Sequence, residues 1–159
     1  MTREEDASLL LVRAERLTCA LPLRAVSEIM RPLPLRTLAG LPSYVRGASI
    51  IRGQATPVVD LSLLLGGQRL AQPARYVVLR GGSPVALAVD DVLGVRALSR
   101  ESLGGLPRLL VDFGSEHVRS LGSLDGELVP VLASTIVLPD EAWERVRGAA
   151  TVSSGNGAA

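Results

Sequence analysis

Residues 50–61 read IIRGQATPVVDL, two apolar runs joined by Arg52 and Gly53. Glycine takes the positive φ of a tight turn without a steric penalty, so the stretch predicts a β-hairpin turning at Gly53 with a charge at its tip. The same grammar recurs outward along the chain. LLLVRAERLTCALPL predicts a hairpin turning near Glu15 and Arg16, and RYVVLRGGSPVALAV one turning at Gly81 and Gly82. RSLGSLDGELVPVL predicts another at Asp125-Gly126, a dipeptide that favours tight hairpins. Short apolar runs between turn signals mark an all-β barrel or sandwich.

The hairpins also repeat one another. ALPLRAVSEI (Ala20 to Ile29) parallels ALAVDDVLGV (Ala86 to Val95), and IIRGQATPVV parallels SLDGELVPVL through Gly53 and Pro57 against Gly126 and Pro130. Two matched elements in the same order indicate a duplicated β unit. The expected division is a domain over residues 8–138, with a first lobe at about 8–70 and a second at about 75–138. GGQRLAQPA (Gly66 to Ala74) is the crossover between them. Two short helices are expected. One is RAVSEIM, with Val26, Ile29 and Met30 on one face. The other is PDEAWERVR, over 139–148, with Asp140 and Glu141 at its positive end, Arg145 and Arg147 at its negative end, and Trp143 docking it. The small, polar, glycine-rich stretch 149–159 is expected to be a disordered tail.

Composition bounds the function. Seventeen basic against sixteen acidic groups leave no electrostatic footprint for nucleic acid or an anionic membrane. Aromatics are only 3% of the chain, so the core is built from aliphatic side chains and base stacking has little raw material. Cys19 is the only cysteine, which excludes an internal disulfide and fits a reducing, cytoplasmic setting. The start does not resemble a signal peptide, and no apolar run approaches the roughly 18–20 residues of a membrane span.

Catalytic chemistry has little to stand on. His117 is the only histidine, near Asp112 and Glu116, so a small metal-dependent enzyme using these three residues is the reading from another class. The DFG of residues 112–114 matches a kinase motif in three letters, but the companion motifs are absent and the chain contains no lysine. Asp90 and Asp91 are adjacent and would point to opposite faces of a strand, which suits turn capping better than proton sharing. Asp60 is placed to cap DLSLLL. Gly104 and Gly105 lack the setting of a phosphate loop. No catalytic residue, metal or cofactor is expected. Hairpins and exposed edges are surfaces for other proteins.

VRGASIIRGQATPVVDLSLLLG (Val45 to Gly66) resembles the signature of the CheW family of chemotaxis adaptors: a glycine, an apolar strand ending in Arg-Gly, then Pro-Val-Val-Asp-Leu. The preceding ALPLRAVSEIMRPLPLRTLAGLPSYVRG, with ALAVDDVLGV and LGSLDGELVPVL, is similar to the rest of the family pattern, so the resemblance covers about residues 8–138. It implies two SH3-like, five-stranded β-barrel lobes sharing a core. It also implies a non-catalytic scaffold that links chemoreceptors to a CheA-type histidine kinase through the kinase's regulatory domain, in the cytoplasm or recruited to membrane receptor arrays. Val26, Glu28, Gly47, Arg52 and Gly53 match family positions for receptor binding, with Arg52 near Glu28; kinase-binding residues are not assigned. Each has a plainer reading: Val26 as core, the glycines as backbone requirements, Arg52 as a solvated turn charge. The chain carries Ile50 where the family commonly has Asn, and Ser62 where Arg often follows Asp-Leu. A decoy that holds only one partner fits the same residues.

Overall fold

The computed structural model describes residues 6–99, 117–133, 136 and 138–157. Among these residues ten strands form two five-stranded sheets: β1 Asp6–Ala14, β2 Leu17–Pro22, β3 Val26–Met30, β4 Val45–Ile51, β5 Gln54–Asp60, β6 Arg75–Leu79, β7 Val85–Val89, β8 Asp91–Ser99, β9 Val118–Leu124 and β10 Glu127–Leu132. One sheet runs β8-β1-β2-β10-β9 and the other β3-β6-β7-β5-β4. All four expected hairpins form, at Glu15-Arg16, Arg52-Gly53, Gly81-Gly82 and Asp125-Gly126.

The duplication is real, and it is interlocked. Each half of the chain is a hairpin, a lone strand and a second hairpin: β1 to β5, then β6 to β10. Each sheet takes its leading hairpin from one half and its strand and trailing hairpin from the other. Residues 8–70 and 75–138 are therefore repeats in sequence but do not form the two sheets, correcting the division into sequential lobes. The matched segments meet in the same way in both sheets. Val131 lies beside Ala20 in a parallel pair, and Val58 beside Ala86 in the other.

The interlock creates a shared core. Leu10, Val12, Cys19 and Leu21 of the first sheet pack in one cluster with Val58, Val59, Val77 and Leu87 of the second. Side chains alternate across a strand, so Leu9 and Leu11 turn the other way and join Ala20, Val129 and Val131 in a smaller cluster. The unbroken LLLV of β1 is apolar because both its faces are covered. Burial pushes the Cys19 thiol up to about 12 and leaves it protonated and inert.

RAVSEIM is not a helix. Only Leu23–Ala25 make a single 3-10 turn, after which Val26–Met30 form strand β3, paired with β6. Its burial alternates with period two, Val26 buried and Ile29 43% exposed, so the expected common face does not exist. β-branched residues and a partner strand remote in sequence outweigh the apolar spacing. A four-residue helix, α1, spans Leu61–Leu64, and the expected C-terminal helix, α2, spans Asp140–Gly157. α2 buries Ala142 and Val146, with Trp143 packed against the core. It runs past 148, so the expected disordered tail is helical as far as Gly157. Extending a docked helix fixes one residue per added hydrogen bond, and Ala149 and Ala150 are strong helix formers.

Candidate functional site

β3 and β4 are opposite edges of the second sheet, yet Glu28 on β3 meets Arg52 at the β4–β5 turn. Arg52 Nε donates to Glu28 Oε2 at 2.7 Å and Nη2 to Oε1 at 3.2 Å, a two-pronged pair. The sheet must curl for its margins to meet, as in a small barrel, and the pair spans that closure. Glu28 reinforces the positive charge of Arg52 by hydrogen bond and by Coulomb attraction, pushing its pKa further up. The Arg52 side chain is 79% exposed and that of Glu28 24%.

The turn itself is unusual. Arg52 has φ 49° and Gly53 φ 77°, both left-handed, which is the two-residue hairpin turn whose twist suits the strands. Glycine accepts this freely, whereas a left-handed arginine is uncommon, so a strained backbone holds the guanidinium at the tip. Beside it lies a groove of about 270 Å³ whose lining includes Ser27, Glu28, Ile51, Arg52, Gln54, Val78, Arg80 and Pro84. The β3 strand and the β4–β5 and β6–β7 turns all reach it.

Of the five expected residues, Glu28 and Arg52 line the groove, and Gly53 completes the turn that carries Arg52. Val26 is 8% exposed and belongs to the core cluster, opposite Leu79. Gly47, buried with φ 149°, lies under the proline-rich segment 31–44, and a Cβ there would strike the Arg36 carbonyl oxygen. That segment is bonded to β4 by Arg36 and Ala48, in both directions at 2.8 and 2.9 Å, and by the Ser49 hydroxyl donating to the Pro34 carbonyl at 2.9 Å. The groove also brings in Arg80 and Gln54, which the sequence reading did not single out. The signal for Arg80 was present, since Arg-Gly recurs at 80–81.

The remaining charged candidates are structural. Asp60 is fully buried; it accepts from Leu63 N at 3.1 Å, capping α1 as expected, from Leu70 N at 2.9 Å and from Arg46 Nη1 at 2.9 Å. Asp90 accepts from Glu15 N at 2.6 Å and so caps the first hairpin turn. His117 is buried with its ring 6.3 Å from Tyr44. Asp112, Glu116, Gly104 and Gly105 lie outside the described residues, and among the described residues no group of acids, histidines and cysteines could hold a metal. No helix there is long and apolar enough to cross a membrane.

Comparisons with known proteins agree with this architecture. A family model described as a CheW-like domain matches residues 8–141. The chain is 28% identical over 123 residues to the chemotaxis protein CheW of Rhizobium meliloti, covering 76% of this chain and 79% of that protein. It is 24% identical over 116 residues to the chemotaxis protein CheW of Helicobacter pylori, covering 71% and 70%. The crystal structure of the scaffolding protein CheW from Thermoanaerobacter tengcongensis superposes with a TM-score of 0.73 at 18% identity, covering 80% of this chain and 89% of that one, which shows a common fold of two SH3-like lobes.

Proposed function

Since the chain belongs to the CheW-like family of chemotaxis scaffolds, we propose that it couples the cytoplasmic tip of methyl-accepting chemoreceptors to the regulatory domain of a CheA-type histidine kinase. The family is non-catalytic, which sets aside the metal-dependent enzyme built on Asp112, Glu116 and His117. The receptor tip docks at the end of the second sheet, where Glu28 and Arg52 present the contact and Val26, Gly47 and Gly53 hold the backbone that carries them. The protein works in the cytoplasm and is recruited to membrane receptor arrays.

One observation carries this reading. The matched positions of Glu28 and Arg52 in the other repeat are Gly94 and Asp125, so the duplicated unit folds without the pair. A paired arginine absent from the matched turn, 79% exposed at a strained backbone beside a groove, supports a recognition role. We propose the other sheet for the kinase contact, because Leu93 and Val95 on edge strand β8 and Leu128 on β10 are 48%, 51% and 68% exposed. Edge strands and exposed apolar side chains are natural pairing sites.

The test titrates receptor tip and kinase regulatory domain separately and together. Arg52→Ala should weaken receptor binding about 30-fold, as at an interface hot spot, with kinase binding and the melting curve nearly unmoved. Glu28→Ala should be non-additive with it. Kinase binding should depend weakly on salt. A variant that melts normally and binds receptor normally would reduce Arg52 to a solvated turn charge; binding of one partner only would make the protein a decoy.

A further inference from the structure

The groove beside Arg52 carries more positive than negative charge. Among its lining residues Glu28 is the acid, and Arg52 and Arg80 are the bases. Both oxygens of Glu28 are occupied by Arg52. Arg80 is exposed and makes no ion pair among the described residues. Its backbone is nonetheless fixed: Arg80 N donates to the Ala25 carbonyl at 2.8 Å, one step beyond the Val26–Leu79 pair of the β3–β6 ladder. The root of the side chain is held at the groove while the guanidinium is free. Arg52 also keeps unused donors, because a guanidinium has five N–H groups and Glu28 engages only Nε and one on Nη2.

We infer that Arg80 and the outer edge of Arg52 form a carboxylate clamp, and that the docked partner presents an Asp or Glu side chain to it. The inference rests on the receptor reading of this site and adds the partner's chemistry and the residue that selects it. A planar guanidinium binds a carboxylate through two parallel hydrogen bonds, and one added carboxylate would neutralise the groove's surplus charge. An apolar or basic side chain in the same place would desolvate Arg80 without a partner and be rejected.

The experiment titrates the full chain with the cytoplasmic hairpin tip of its cognate receptor at low and physiological salt, comparing wild type with Arg80→Gln and Arg80→Glu. Arg80→Gln should weaken binding about fivefold and flatten its salt dependence, and Arg80→Glu should weaken it further. Melting and kinase-domain binding should stay as in wild type. Replacing the receptor tip's acidic residues one at a time by Arg should yield one variant that restores binding to Arg80→Glu. If wild type binds the tip and Arg80→Gln binds it equally, with the same salt dependence, the clamp is overturned and the receptor reading stands. If wild type does not bind the tip, the receptor reading falls and the clamp with it. If Arg80→Gln melts early or loses both partners, Arg80 is structural and the clamp is again overturned.

Discussion

The β4–β5 and β9–β10 hairpins occupy the same place in the two repeats and turn in the same way, with φ of 49° and 77° at Arg52-Gly53 and 51° and 84° at Asp125-Gly126. Each has a proline four residues after its glycine. Their tips differ in chemistry. Asp125 is a residue type that tolerates a left-handed backbone, and no ion pair involves it among the described residues. Arg52 tolerates that backbone less well and grips Glu28 across the barrel closure. One half of the molecule thus serves as a control for the other: what both hairpins share builds the fold, and an exposed feature that only one carries is available for recognition.

The largest test of that division lies at the far end of the β4–β5 hairpin. Asp60, buried against Arg46, corresponds to Ala133 in the second repeat. Asp60→Ala leaves a charge with 11% side-chain exposure unpaired and strips a helix cap and the Leu70 N–H of their acceptor, so urea unfolding should show a loss of about 3–5 kcal/mol. A loss under about 1 kcal/mol would mean that the two hairpins are equally self-sufficient.

A smaller difference is set by pH. Cys19 in the first sheet corresponds to Val85 in the second, and its thiol lies at about 12 in the fold against an ordinary value of 9.0. A raised thiol pKa means that the unfolded chain loses its proton first. Stability from this group is complete below about pH 9 and falls as pH rises towards 12, by about 1.4 kcal/mol per unit. Denaturation at pH 8, 9.5 and 10.5 should show the decline, and Cys19→Ala should flatten it. An unchanged slope would place the alkaline sensitivity elsewhere.

The smallest effect should be a matched one. Neither Gly53 nor Gly126 has an atom within 4 Å of where a Cβ would be, so alanine at either site meets only the left-handed backbone penalty of about 1 kcal/mol. Equal melting shifts for Gly53→Ala and Gly126→Ala would support equivalence of the turns as backbone. A much larger shift at Gly53 would show that Arg52 and Glu28 brace the fold after all.

Turn chemistry is local, which is why the hairpins are legible in the sequence: glycine marks three of the four reversals, and at Glu15-Arg16 a charged pair between apolar runs marks the fourth. Strand partnership is not local. Ala20 and Ala86 present similar surfaces, as do Val58 and Val131, and nothing nearby tells Ala20 to choose the distant Val131. The exchange of hairpins between repeats is therefore not legible locally, and the apolar spacing of β3 suggests a helix because its partner β6 is remote in sequence. At the site, Arg52 stands out as a charge at a hairpin tip, whereas Glu28 is legible only through the family resemblance, because its strand spacing looks helical. Arg80 does not stand out, since its significance comes from β3 and the β4–β5 turn arriving beside it.

The interlock also sets an order on the ribosome. β3 to β7 are consecutive in the chain, so the second sheet has all its strands once Val89 has emerged. β1 and β2 are made first, but β9 and β10, which complete their sheet, are made last. At about 5–20 residues per second the nascent first hairpin waits roughly 5–20 s, and an isolated hairpin is marginal in water. The sheet bearing the paired arginine is thus the earlier to mature, and the apolar Leu9 and Leu11 of β1 are the surface a chaperone would meet in the interval.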